Sequence, residues 1–93
     1  MEFEWDKEKA VANFKKHSVS FEEAELAFED EYAIEAFDEF NSDEEIRYRL
    51  IALSPVRLLF VSYTIRDEEI IRIISARKAT SAEEKFYNDA RRR

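Results

Sequence analysis

Glycine and cysteine are both absent from the 93 residues, and proline, methionine, histidine and tryptophan occur once each. Without glycine, no loop can press its backbone against a phosphate as a P-loop or dinucleotide fingerprint does. Every tight turn must therefore use Asn, Asp, Ser or Pro. Without cysteine there is neither a disulfide framework nor a thiolate metal site, which suits a reducing compartment. No segment approaches the ~18 consecutive apolar residues of a membrane span, and the opening ten residues hold no basic segment followed by an apolar run. The expected setting is the cytoplasm, with no membrane contact. There is also no nucleophile elbow, no HExxH, no internal repeat and no low-complexity tract.

What is present suffices for one core. Hydrophobic residues make up 45% of the chain and aromatics 14%, with 8 Phe and 4 Tyr. A chain of this length has nothing left to bury in a second domain, so residues 1–93 are read as one. The net charge of −7 disfavours phosphate binding at first sight, but it hides an asymmetry. Residues 1–46 carry 4 Lys against 16 Asp or Glu, a net of −12, whereas residues 47–93 carry 11 Lys or Arg against 6 acids, a net of +5. The second half can offer guanidinium groups to an anion.

Periodicity predicts an α+β fold. Glu2 to Trp5 alternates, with Phe3 and Trp5 on one side, as in a short edge strand. Asp6 can cap a helix over Lys7 to His17 whose stripe of Ala10, Phe14 and His17, with Val11 beside it, faces the core. Ser20 and Glu23 have capping-box spacing and open a second helix that buries Phe21, Ala24 and Phe28. From Tyr32 to Phe37 the period becomes two, followed by a turn at Asn41-Ser42-Asp43. Three further strands are expected over Glu45–Leu53, Leu59–Arg66 and Ile70–Ala76, joined by Ser54-Pro55 and Arg66-Asp67-Glu68. Links this short imply an antiparallel meander of about four strands. Thr80 and Glu83 start a last helix running to about Ala90, with Ala82, Phe86 and Ala90 inward and the terminal arginines frayed.

Alternation places Arg47, Arg49, Ser62, Thr64, Arg66 and Arg72 on the sheet face opposite the aliphatic rows, and Arg77 continues beyond the last strand. Such a face is either an anion site or an ordinary solvated surface. RNA cleavage without a metal needs an activated 2′-hydroxyl, stabilisation of a pentavalent phosphate, and a proton for the leaving oxygen. Arg66, Arg72 and Arg77 can supply the second of these. His17 can exchange a proton near neutral pH and Lys16 can bind a phosphate; equally, His17 can simply end a helix beside its last carbonyls. Glu22, His17 and a polarised water remain open as the base. The acidic run from Glu29 to Glu45 lacks EF-hand spacing and reads as a solvated strand and turn, so no metal or other cofactor is expected. A non-catalytic module pairing with a partner chain through its sheet face or edge is the alternative.

Several segments together resemble the BrnT family of type II toxins. They are Phe3-Glu4-Trp5-Asp6, Lys7, Asn13, the run Lys16-His17-Ser18-Val19-Ser20-Phe21-Glu22-Glu23-Ala24, Arg47, the Thr64-x-Arg66 step, the run from Ile70 to Thr80, Glu83 and Tyr87. The resemblance implies a RelE-like fold and a growth-slowing toxin that cleaves RNA. It also implies a neutralising antitoxin of the BrnA type in a 2:2 complex, with DNA reached only through that antitoxin. Its pattern covers Lys16, His17, Thr64, Arg66, Arg72 and Arg77. Combined with the sheet-face pattern, this makes Arg66, Arg72, Arg77 and His17 the expected catalytic residues and Lys16, Arg47, Arg49, Thr64 and Lys78 the expected RNA contacts. Two departures stand out: Ser18 replaces a usual Gly, and the Arg66 to Glu69 link lacks one.

Overall fold

The first strand, β1 (Glu2–Glu4), leads into α1 (Lys7–His17) and α2 (Phe21–Ala27). The chain then forms β2 (Ile34–Phe37), a 3-10 turn over Glu39–Asn41, β3 (Tyr48–Leu53), β4 (Leu58–Arg66), β5 (Ile70–Lys78) and α3 (Ser81–Arg91). This computed structural model describes residues 1–41 and 45–92. The expected turn residues Ser42 and Asp43 lie outside that range, as does Arg93. Among the described residues no helix is long and apolar enough to cross a membrane.

The expected meander forms: β2, β3, β4 and β5 pair antiparallel in chain order. β1 extends it to five strands by pairing parallel to β5, in the register Glu2↔Ile70, Phe3↔Ile71 and Glu4↔Arg72. Strand β2 starts at Ile34 rather than Tyr32 because Asp30 builds an Asx turn, its Oδ1 accepting from the Tyr32 N–H at 2.9 Å. One irregularity decides which side of the sheet Arg77 takes. Ser62 faces Ser75 but Tyr63 faces Ile73, so Ile74 is an extra, unopposed residue. Strict alternation would turn Arg77 to the same side as Ile71 and Ile73. The bulge restores it to the side of Arg72.

The helices α1 and α2 cover one sheet face. Phe21, Ala24 and Ala27 pack there on Leu59, Val61, Tyr63, Ile71, Ile73 and Ala76, all buried. Edge-to-face and stacked rings run across this layer from Phe3 to Phe28 (5.1 Å), Tyr63 (5.0 Å) and Tyr48 (5.6 Å). Each such pair adds about 0.5–1.5 kcal/mol beyond its buried area.

Two helices present different faces from those expected. In α1 the inward stripe is Ala10, Asn13 and His17, while Phe14 and Val11 are 55% and 57% exposed. The cause is an unfilled hydrogen-bonding edge: β1 ends at Glu4, but β5 continues to Lys78. The Asn13 carboxamide takes the missing strand's place, accepting from the Ala76 N–H (3.1 Å) and donating to the carbonyls of Ala76 (2.8 Å) and Val19 (3.0 Å). Rotating α1 to bury Phe14 would orphan those groups. In α3 the buried residue is Tyr87, with Ala82, Phe86 and Ala90 exposed. The Tyr87 hydroxyl donates to Asp30 Oδ2 at 2.6 Å, and that oxygen also accepts from the Leu53 N–H at 2.8 Å. Nor does the helix end fray at Arg91, whose guanidinium lies 4.6 Å from the Tyr32 ring centroid.

Glycine-free turns use strained alternatives. Ser18, the C-cap of α1, sits at φ 58° and ψ 30°, the position where a Gly is usual in helix ends. Asp67 and Glu68 are at φ 52° and 64°, closing the β4–β5 hairpin with the positive dihedrals of a type I′ turn.

Candidate active site

The sheet face turned away from α1 and α2 carries the arginines, which fall into two separate stations. At the first, β1, β5 and β4 lie side by side. Glu4 is opposite Arg72, and Arg72 is opposite Thr64. One carboxylate oxygen, Glu4 Oε2, accepts from Arg72 Nη1 at 2.8 Å and from Arg66 Nη1 at 2.9 Å. The Glu4 and Arg72 side chains are about one-third exposed and that of Arg66 is 55% exposed, so solvent and ligands reach this fork. The Arg72 hydrogen bond holds the Glu4 carboxyl below its ordinary range; partial desolvation opposes this, and the nearby Arg66 reinforces it. Asp6, the α1 N-cap, is likewise held low, chiefly by the Lys9 N–H, with Arg72 contributing its charge.

The second station lies five residues along β5, about 15 Å away at ~3.3 Å per residue. Arg77 forms a two-pronged pair with Glu83 of α3, at 2.9 Å and 3.0 Å, and its guanidinium stacks 4.2 Å from the Phe60 ring centroid. Glu83 completes the capping box of α3 by accepting from the Thr80 N–H at 2.9 Å. Arg77 above all, then the Thr80 N–H, keeps the Glu83 carboxyl below its usual range despite burial. Beside this station a cavity of about 500 Å³ opens between α3 and the sheet, lined by Arg49, Ile51, Phe60, Ala82 and Phe86 among others.

The remaining expected residues divide further. Thr64 is buried, and its hydroxyl donates to the Ile46 carbonyl at 2.6 Å, fastening the approach to β3; it is not presented to RNA. Arg47 lies beside Glu45 at 3.6 Å, while Arg49 stands exposed on the open face. Lys16 and His17 end α1, in the helical layer behind the sheet. Lys78 is exposed, opposite Leu59 at the end of β5. Among the described residues none of Lys16, His17, Arg49 and Lys78 forms a salt bridge, and no hydrogen bond joins His17 to an arginine. All three candidate catalytic arginines thus share one face, but only Arg66 and Arg72 meet, and His17 meets neither. Glu22 is exposed on α2, away from the fork.

The roles of three residues escaped sequence reasoning. Glu4 is legible as the polar alternate of Phe3, yet its neighbours depend on which strand β1 joins. Asn13 interrupts an otherwise apolar stripe at helical spacing from Ala10 and His17, a sign of a buried amide with partners. Arg57, not singled out by sequence, is structural. It clasps Glu23 at 2.8 Å and 3.0 Å and donates to the Ser18 carbonyl at 2.7 Å, tying the β3–β4 loop to the helices. Among the described residues, no three His, Asp or Glu side chains converge to hold a metal.

A mixed sheet with two helices on one face and solvent-accessible arginines on the other defines a class of small α+β domain with an arginine-bearing open face. Residues 5–83 match the family model described as ribonuclease toxin, BrnT, of type II toxin-antitoxin system. The chain belongs to that family, so it is a ribonuclease toxin of a type II system and has an antitoxin as partner. Its fold is similar to that in the 1.1 Å crystal structure of the Brucella abortus ribonuclease toxin BrnT. The TM-score is 0.65 at 21% identity, over 87% of this chain and 99% of that one. No curated protein matches the chain in sequence.

Proposed function

We propose that residues 1–93 act as one domain, a cytoplasmic endoribonuclease that cleaves RNA without a metal. A BrnA-type antitoxin neutralises it in a 2:2 complex, and DNA is met only through that antitoxin. The observation carrying this is the fork of Arg66 and Arg72 around a single oxygen. Two guanidinium groups share one carboxylate, leaving positive charge and unused N–H donors directed at solvent. A phosphodiester entering there meets donors positioned for the charge that develops in a pentavalent transition state. Arg49, exposed on the same face, contacts the flanking strand rather than the scissile phosphate.

The test is incubation of purified chain with single-stranded RNA in EDTA. Wild type cleaves, co-purified antitoxin suppresses cleavage, and Arg72→Ala cleaves about 10²–10³-fold more slowly with its fold intact. Absence of cleavage by wild type, with or without added divalent metal, would leave only antitoxin binding as the function of this face.

A further inference from the structure

Cleavage at the fork needs an acceptor for the 2′-hydroxyl proton. Glu22 and His17, considered from sequence, stand on helices away from it. Glu4 stands in it, just ahead of the region matched by the family model. Parallel pairing with β5 sets Glu4 opposite Arg72, and alternation along β1 sends Phe3 into the core and Glu4 to the open face. Its Oε2 holds both arginines, whereas Oε1 accepts no hydrogen bond from a described residue. The side chain is one-third exposed, so a substrate can reach that oxygen.

We propose that Glu4 is the general base of the reaction, with Oε1 removing the 2′-hydroxyl proton while Arg66 and Arg72 hold the phosphate. This rests on the ribonuclease reading above. As the 2′-O–H bond breaks, the oxygen's electron pair forms the bond to phosphorus. The bond from phosphorus to the 5′-oxygen breaks, its pair leaving with that oxygen, which takes a proton from water. The products are a 2′,3′-cyclic phosphate and a 5′-hydroxyl, and Glu4 returns its proton to solvent.

Charge movement explains why one group should serve both roles. In the ground state Glu4 is an anion and shares the two guanidinium groups with the incoming phosphate. When the proton reaches Glu4, that negative charge vanishes as an extra one appears on the phosphoryl oxygens. The arginines are then released toward the phosphorane, so their attraction is strongest at the transition state. A carboxylate fixed between two cations also stays ionised at neutral pH, ready to accept.

Glu4→Gln preserves shape and an oxygen for the arginines but cannot accept the proton. It is expected to lower kcat by about a hundredfold or more, to abolish the acidic limb of the kcat–pH profile, and to bind an uncleavable 2′-O-methyl oligonucleotide as tightly as wild type or tighter. Glu4→Asp, which keeps the carboxylate, should regain part of the rate together with that limb; unfolding midpoints are read alongside. Glu4→Gln cleaving as fast as wild type or faster would overturn the proposal, since Glu4 would then be a placeholder for phosphate. A rate loss matched by an equal loss of oligonucleotide affinity, or an Asp variant no better than Gln, would also overturn it. A wild type that does not cleave removes the ribonuclease reading and the base together, whereas these variant results bear on the base alone.

Discussion

The two arginine stations on one sheet face have opposite chemistry. Arg77 and Glu83 are matched one to one, both prongs engaged, with the guanidinium seated on Phe60 and the carboxylate also capping α3. Arg66 and Arg72 are two cations on one oxygen. The first arrangement is saturated and fastens a helix to a strand; the second uses one donor of each guanidinium and is open. Counting arginines on a face would equate them, yet stoichiometry and donor use separate a structural clamp from a place for an anion.

The largest expected effect is that of Arg72→Ala on cleavage, set out above; an unfolding midpoint that dropped in step with activity would erase the distinction between the stations. Next is Asn13→Leu, which leaves the buried Ala76 N–H and carbonyl unpaired and should destabilise by about 2–4 kcal/mol. Chemical denaturation measures this, and the folded fraction should still cleave, because Asn13 supports the face without belonging to it. Arg77→Ala should cost only about 1–2 kcal/mol, since its pair is partly screened by solvent, and should loosen α3 to proteolysis. Cleavage should fall less than tenfold; a loss as deep as that of Arg72→Ala, in folded protein, would move the chemistry to the second station.

Acid should act on the clamps through stability. Arg77 holds Glu83 and Arg57 holds Glu23 below their ordinary value of 4.5. Burial pushes Asp30 up, but the Tyr87 hydroxyl and the Leu53 and Tyr32 N–H groups bring it below 3.8. Depressed carboxyls contribute fully above their unfolded values and lose that contribution as pH falls through their folded ones. Unfolding midpoints should therefore be level near neutrality and drop below about pH 4.5, as thermal melts across pH would show. Tyr87 is pushed up to about 12, by burial first and then by Asp30, so its contribution is complete below pH 10 and fades toward pH 12. The smallest effect belongs to the hairpin: Glu68→Gly relieves a left-handed φ of 64° and should change stability by at most about 1 kcal/mol, with cleavage untouched.

Much of this was legible in the sequence. The meander followed from period-two runs joined by short links, and Asp6, Ser20 and Thr80 do cap the three helices. Alternation also placed Arg66 and Arg72 on one face. The inward sides of α1 and α3 were not legible, because in each a polar group outranked the apolar pattern: Asn13 had a strand edge to satisfy, and Tyr87 had Asp30. Thr64 was misassigned for a similar reason, as alternation gives a side but not whether a hydroxyl finds a backbone carbonyl nearby.

Local order along the chain thus determined the elements, their caps, the antiparallel pairing of neighbours and the family signature, since all of these depend on residues close in sequence. Which strand β1 would join, and hence that Glu4 would stand between Arg66 and Arg72, was decided only by folding. So was the bulge at Ile74 that keeps Arg77 on the open face. Glu4 and Arg72 are 68 residues apart, and no periodicity carries information across that distance. The packing of Phe3 and Trp5 against the common core and the parallel pairing of β1 with β5 bring the two ends together.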